Sequence, residues 1–232
     1  MIMPLVLLPG LMCDARLFAP QVEALSANWP VTVADMSGHD RVEALAAGIL
    51  ADAPPMFALG GLSMGGIVAM EVLRQAPDRV AKLALMDTNP LAEAPEMQVR
   101  RGPQLEKALA GQLEQVMREE MKPNYLTEGP QRAAILDLCM DMAMDLGADV
   151  FVRQSMALRG RPDQRDTLRG VCVPTLVLCG RDDRLCPVAR HELMHELVVS
   201  SVLEIIEGAG HLPTLEQPQQ TTAALLRWME DA

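Results

Sequence analysis

Gly61-Leu62-Ser63-Met64-Gly65 sets one serine between two glycines, two residues away on either side. The segment before it, Met56 to Leu59, reads as a short buried strand. The segment after it, Ile67 to Arg74, reads as a helix apolar on most faces. This context turns G-x-S-x-G into a sharp strand-to-helix elbow, with the serine at its apex and the helix amides behind it. A serine hydroxyl is a weak nucleophile near neutral pH. It needs a base to take its proton and a carboxylate to orient that base. His211 directly follows the last expected strand, in Gly208-Ala209-Gly210-His211. The loop after the preceding strand, Gly180 to Pro187, offers two neighbouring carboxylates, Asp182 and Asp183. Nucleophile, acid and base, in that chain order, point to acyl transfer through a serine. The spacing alone does not separate Asp182 from Asp183.

A second pattern competes. His191-Glu192-Leu193-Met194-His195 matches H-E-x-x-H, the helical zinc-protease signature. On a helical wheel Ala189, Leu193 and Leu197 share one face, which turns His191 and His195 toward solvent. A zinc site needs a cavity and a third ligand. The nearest downstream candidate, Glu216, belongs to the loop beyond His211. The expectation is therefore no metal and no cofactor.

These residues require elements that bring three distant loops to one edge. Leu5 to Leu8 is a continuous apolar run stopped by Pro9-Gly10, as for a strand buried on both faces. Further strands are expected at Val31–Ala34, Val80–Met86, Pro174–Gly180 and Val202–Ile206. Helices are expected over 19–27, 41–53, 188–198 and 217–229. Alternation of this kind builds a parallel sheet with helices on both faces. It stops between about Leu91 and Asp166, where segments 96–109, 113–121, 129–144 and 148–158 show helical spacing and no strand. The reading is an α/β core over 1–90 and 167–232, with a helical cap inserted at 91–166. The methionines of that insertion, among them Met97, Met117, Met140, Met142 and Met156, serve its core or a deformable pocket wall.

The 232-residue chain is 50% hydrophobic and has a formal charge of -11. An acidic chain without a basic block argues against nucleic acid or an anionic membrane as partner. Five cysteines, an odd number without C-x-x-C spacing, fit a reduced protein. The short apolar start carries no basic leader, so the expected location is cytoplasmic. His39 reads as a turn-packing residue and Cys13 as a packed thiol. Asp14 and Arg16 read as solvated charges, and Arg159, Arg161 and Asp163 as a salt-linked hinge.

The elbow resembles that of the α/β-hydrolase superfamily. So do Leu8-Pro9-Gly10-Leu11, Asp35-Met36-Ser37-Gly38-His39, Pro174 to Asp183 and Gly210-His211. The resemblance spans nearly the whole chain. It is nearest to the capped esterase, lactonase and carbon–carbon hydrolase branch. The family register, an acid three residues after the strand-ending glycine and a proline four further on, fits Gly180, Asp183 and Pro187. The resemblance thus implies Ser63, Asp183 and His211 as the triad. It implies the amides of Leu11 and Met64 as the oxyanion hole. Leu62 and Pro9 stand where the family often has histidine. The implied fold is a six-stranded, mostly parallel sheet. Its Val31–Ala34 edge must be covered by side chains or by a second subunit in a homodimer. The implied function is hydrolysis of a small carboxylic ester, thioester or lactone. Carbon–carbon hydrolysis, acyl transfer, perhydrolysis and non-catalytic ligand reception are the alternatives on the same fold.

Overall fold

The computed structural model describes residues 2–231. Six strands form one sheet: β1 (Leu5–Leu8), β2 (Val31–Val33), β3 (Phe57–Leu62), β4 (Val80–Met86), β5 (Thr175–Gly180) and β6 (Ser201–Ile206). Their order is β2-β1-β3-β4-β5-β6, and every pairing is parallel. β1, β3 and β5 are buried along their whole length, which accounts for their unbroken apolar runs. The winding reverses between β1 and β3. A crevice opens at the carboxyl end of strands where this happens, and β3 is the strand that delivers Ser63. β2 is the expected edge. It is only three residues long, with Thr32 exposed, and a short edge strand gives another chain little to pair with.

Helices α1 (Ala19–Leu25), α2 (Val42–Asp52) and α3 (Met64–Gln75) follow the first three strands. α3 is buried over most of its length, packed between the sheet and α2. Between β4 and β5 the described stretch forms helices and turns and no strand. It holds α4 (Pro95–Lys107), the short α5 (Leu113–Gln115) between wide π-type turns at Ala108–Gln112 and Val116–Met121, and the long α6 (Arg132–Arg159). α6 is two helices meeting at Gly147, whose φ of 79° and ψ of 173° lie outside helical space. The break falls between the segments 129–144 and 148–158 marked by sequence periodicity. α7 (Arg165–Arg169) returns the chain to the sheet, and α8 (Val188–Leu197), α9 (Pro213–Glu216) and α10 (Pro218–Glu230) complete it. Met117, Met140 and Met142 are core residues, whereas Met97, Met144 and Met156 remain exposed. Among the described residues no helix is long and apolar enough to cross a membrane.

Candidate active site

β3 runs straight into α3 with Ser63 as the single residue between them. Ser63 has φ 56° and ψ −114°, a conformation that L-residues avoid and that surrounding structure must impose. The constraint comes from two sides. The Ser63 amide donates to the Met86 carbonyl at 2.9 Å, which ties the apex to the end of β4. Gly65 lets α3 pass so close to β1 that a Cβ there would land on the Leu8 carbonyl. The side chain is left partly accessible beyond the end of the sheet.

Two later strands bring the partners. His211 Nε2 lies 2.9 Å from Ser63 Oγ, and His211 Nδ1 lies 2.8 Å from Asp183 Oδ2. His211 is 3% exposed and Asp183 5%, so their contact is made almost without water. Asp183 Oδ1 accepts from the amides of Leu185 and Cys186 at 2.8 and 3.0 Å. Burial opposes ionisation of Asp183. The adjacent His211 and those two amides outweigh it and hold the carboxyl below its ordinary range. The acid is therefore an anion at neutral pH, with one oxygen fixed by the backbone and the other presented to imidazole. Asp182 is exposed on the same loop and takes no part.

A buried network that the sequence did not reveal stands behind this line. Asp87 ends β4 with φ 45° and is fully buried. Its Oδ1 accepts from Gly180 N at 2.9 Å, and its other oxygen has no protein donor. Burial and the nearby charge of Asp183, which lies in hydrogen-bonding reach, push the Asp87 carboxyl well above its usual range. Burial thus biases the Asp87 carboxyl toward its protonated form, beside an Asp183 biased toward its ionised one. The next residue, Thr88, donates from Oγ1 to the Ser63 carbonyl at 2.7 Å and from its amide to His191 Nε2 at 3.1 Å. The His211 loop is clamped by Glu216. One carboxylate oxygen accepts from Gly210 and Leu212 amides, and the other from the amide and hydroxyl of Thr127.

The loop after β1 lies against the other side of Ser63. A Cβ built on Gly10 would stand 3.5 Å from Ser63 Cβ. Gly10 to Cys13 is closed by a bond from Cys13 N to Gly10 O at 3.1 Å, with Met12 at φ 54°. Gln154, buried in α6, accepts from Met12 N at 2.8 Å and donates to Met36 O at 3.1 Å. One amide from α6 thus fixes the turn that carries Leu11. Met64 is the first residue of α3, so its N–H has no carbonyl one turn earlier to bind.

The family model for the alpha/beta hydrolase family matches residues 5–225. The chain belongs to that family. Among curated relatives, the pimeloyl-[acyl-carrier protein] methyl ester esterase of Xanthomonas oryzae pv. oryzae is 29% identical over 97% of this chain and 94% of its own. The corresponding esterase of Neisseria meningitidis is 26% identical over 95% and 90%. The malate-bound thermophilic esterase from Thermogutta terrifontis superposes with a TM-score of 0.88 at 29% identity, covering 98% of this chain and 89% of the other. The enol-lactonase from Burkholderia xenovorans LB400 shares the fold, with a TM-score of 0.88 at 22% identity over 99% and 92%.

This alpha/beta hydrolase overturns several sequence expectations. His191 is not on the solvent face: it is fully buried, with Met194 and Val198 below it on the same side of α8. The wheel failed because Leu193 and Leu197, the apolar residues chosen to mark the inner face, are only half-buried. Burial pushes the His191 imidazole down to about 4 and keeps it a neutral acceptor for Thr88. His195 is exposed and bonds Ser201, so the two histidines of H-E-x-x-H do not converge. Among the described residues the one group with metal-ligand spacing is Asp183, Cys186 and His211, two of which already bond each other. Arg161 pairs with Glu93 rather than Asp163, which binds Arg165. Arg16 bridges Asp14 to Asp145 on α6 rather than standing free in water. Cys13 is buried, and its thiol is pushed up to about 12 by that burial, which leaves it a neutral packing group.

Proposed function

We propose that the protein is a serine carboxylic ester hydrolase with Ser63, His211 and Asp183 as its triad. The observation that carries this reading is the unbroken hydrogen-bond line from Ser63 Oγ through both ring nitrogens of His211 to Asp183. Ser63 Oγ attacks the ester carbonyl carbon while His211 Nε2 takes its proton. The developing oxyanion is held by the Leu11 and Met64 amides. Collapse expels the alcohol, which takes the proton back from His211. Water then attacks the acyl-enzyme by the same route and frees the acid and Ser63. Asp183 fixes the tautomer and stabilises the imidazolium without being protonated itself.

The helical stretch 91–166 is a cap over this edge, and its side chains select the acyl and alcohol groups. The curated relatives act, by name, on a methyl ester, so simple alkyl esters are the substrates to try first. The test is a fluorophosphonate probe with tryptic mapping, beside turnover of short p-nitrophenyl esters. Label on Ser63 and turnover lost in Ser63→Ala are expected. Intact folding with neither label nor turnover would sink the reading.

A further inference from the structure

The seam between the cap and the core holds a buried lysine that makes no ion pair among the described residues. Lys122 is 2% exposed, and its Nζ has no hydrogen-bond partner. Its Nζ lies over the face of Tyr125, 4.5 Å from the ring centroid. The same ring meets the His211 ring edge-on at 5.5 Å, and the Tyr125 carbonyl accepts from the His211 amide at 2.7 Å. Lys122 is therefore one aromatic ring away from the histidine that moves the proton. It also lies close enough to Cys13, on the turn that carries Leu11, and to Cys139, on α6, to act on both thiols.

The acidic groups around it are bonded elsewhere: Asp14 to Arg16, and Glu216 to the amides of Thr127, Gly210 and Leu212. Arg101 and Arg161, both largely buried, share the single carboxylate of Glu93. Arg101 acts on Tyr125, and Arg161 acts on Cys186 beside Asp183. Arg101 and Arg161 thus occupy Glu93, and no carboxylate bonds the Lys122 amine. A buried amine without an acceptor loses its water and gains no hydrogen bond in return. An anionic oxygen group on the substrate would restore the missing bonds.

We propose that Lys122 is a substrate-recognition residue that takes a carboxylate on the far end of the acyl or alcohol group. The preferred substrates are then half-esters of short dicarboxylic acids. This inference rests on the hydrolase reading and narrows its substrate class. The test compares monomethyl with dimethyl esters of succinate, glutarate and adipate in wild type, Lys122→Met and Lys122→Arg. Wild type is expected to favour one monomethyl ester over its diester by about tenfold or more in kcat/KM. Lys122→Met erases that preference through KM, while Lys122→Arg retains part of it. In wild type alone, the matching free dicarboxylate inhibits p-nitrophenyl acetate turnover competitively and its uncharged diamide does not. This measurement needs no variant to fold. Diesters turned over as well as half-esters, with diacid and diamide equal as inhibitors, would overturn the inference and leave the hydrolase intact. Absence of all ester turnover and of Ser63 labelling would overturn the hydrolase reading, and this inference with it.

Discussion

The two ends of the proposed site are built by different physics. On the core side, Ser63, Asp87, Asp183 and His211 each stand at or just beyond the carboxyl end of a parallel strand. Hydrogen bonds hold them there, two of them between residues far apart in sequence, Thr88 to Ser63 and Gly180 to Asp87, and two within the His211 loop, from both neighbours of His211 to Glu216. On the cap side, helices interrupted at Gly111 and Gly147 pack through methionine, leucine and alanine, with exposed apolar residues left over. Hydrogen bonds have narrow geometry, while apolar contacts tolerate exchange of shape. The core side is thus suited to fixed chemistry and the cap side to variable selection. Gln154 joins the two, since it belongs to a cap helix yet holds the backbone of the core loop.

If the core side is a coupled polar network, its buried groups must report on one another. The largest effect is expected at His191. Its imidazole falls from an ordinary 6.5 to about 4 in the folded protein, with burial as the main cause. The unfolded chain therefore binds a proton that the folded chain refuses. Stability from this group is complete above about pH 6.5 and is lost as pH falls toward 4. At pH 4 the loss amounts to about 3 kcal/mol. His191→Gln keeps an acceptor for Thr88 but cannot titrate. Urea unfolding at pH 7.5 and pH 4 should show the wild type losing about 3 kcal/mol more than the variant. Equal losses would mean that His191 is hydrated, and the core side less closed than its hydrogen bonds imply.

Asp87 gives the next effect. In its protonated form it can donate to Asp183 while accepting from Gly180, and asparagine can do both. Asp87→Asn should keep kcat within about twofold, whereas Asp87→Ala should lower it about tenfold by freeing the Asp183 carboxylate. The sign for stability is set by the raised carboxyl of Asp87. The native state holds a proton that the unfolded chain releases above its ordinary range, so this group costs stability as pH rises. Asp87→Asn should therefore unfold at a higher temperature than wild type at pH 8, with the gain shrinking toward pH 4. An alanine variant as active as wild type would show that Asp183 is held by His211 and the loop amides alone.

The same division explains what could be read from sequence. The six strands, the elbow and the Ser63 and His211 positions are local patterns: apolar runs, glycines at a tight approach, a residue just after a strand. Asp183 is preferred to its neighbour Asp182 only through the family register. The break in α6 was legible because its two halves are separately periodic. Asp87, Thr88 and Glu216 were not legible. Asp87-Thr88 looks like any polar turn after a strand, and its meaning comes from β4 lying between β3 and β5. His191 was misplaced for the same reason. Leucines pulled the wheel one way, while the packing of α8 on β5 and the acceptor needed by Thr88 pulled the other. Lys122 offered no signal, since a lysine in a helical stretch is ordinarily solvated.

The smallest effect is expected on the cap, and it tests the claim that cap geometry is exchangeable. Gly147 has φ 79°, and a Cβ there would meet nothing within 4 Å. Gly147→Ala therefore adds backbone strain without a steric clash, a cost of about 1–2 kcal/mol. In a chain of this size that lowers Tm by about 2–8 °C. Strain can be relieved by letting the two halves of α6 re-angle. The half after Gly147 carries Gln154, whose bonds to Met12 and Met36 resist movement, so the half before it should shift. That half carries Met140 and Met142, buried beside the seam. The expected result is an altered preference among p-nitrophenyl esters of different chain length, with fluorophosphonate labelling of Ser63 at the wild-type rate. Labelling slowed together with turnover of every ester would mean that the strain reaches the Leu11 turn through Gln154. Cap and core would then be one mechanical unit rather than two.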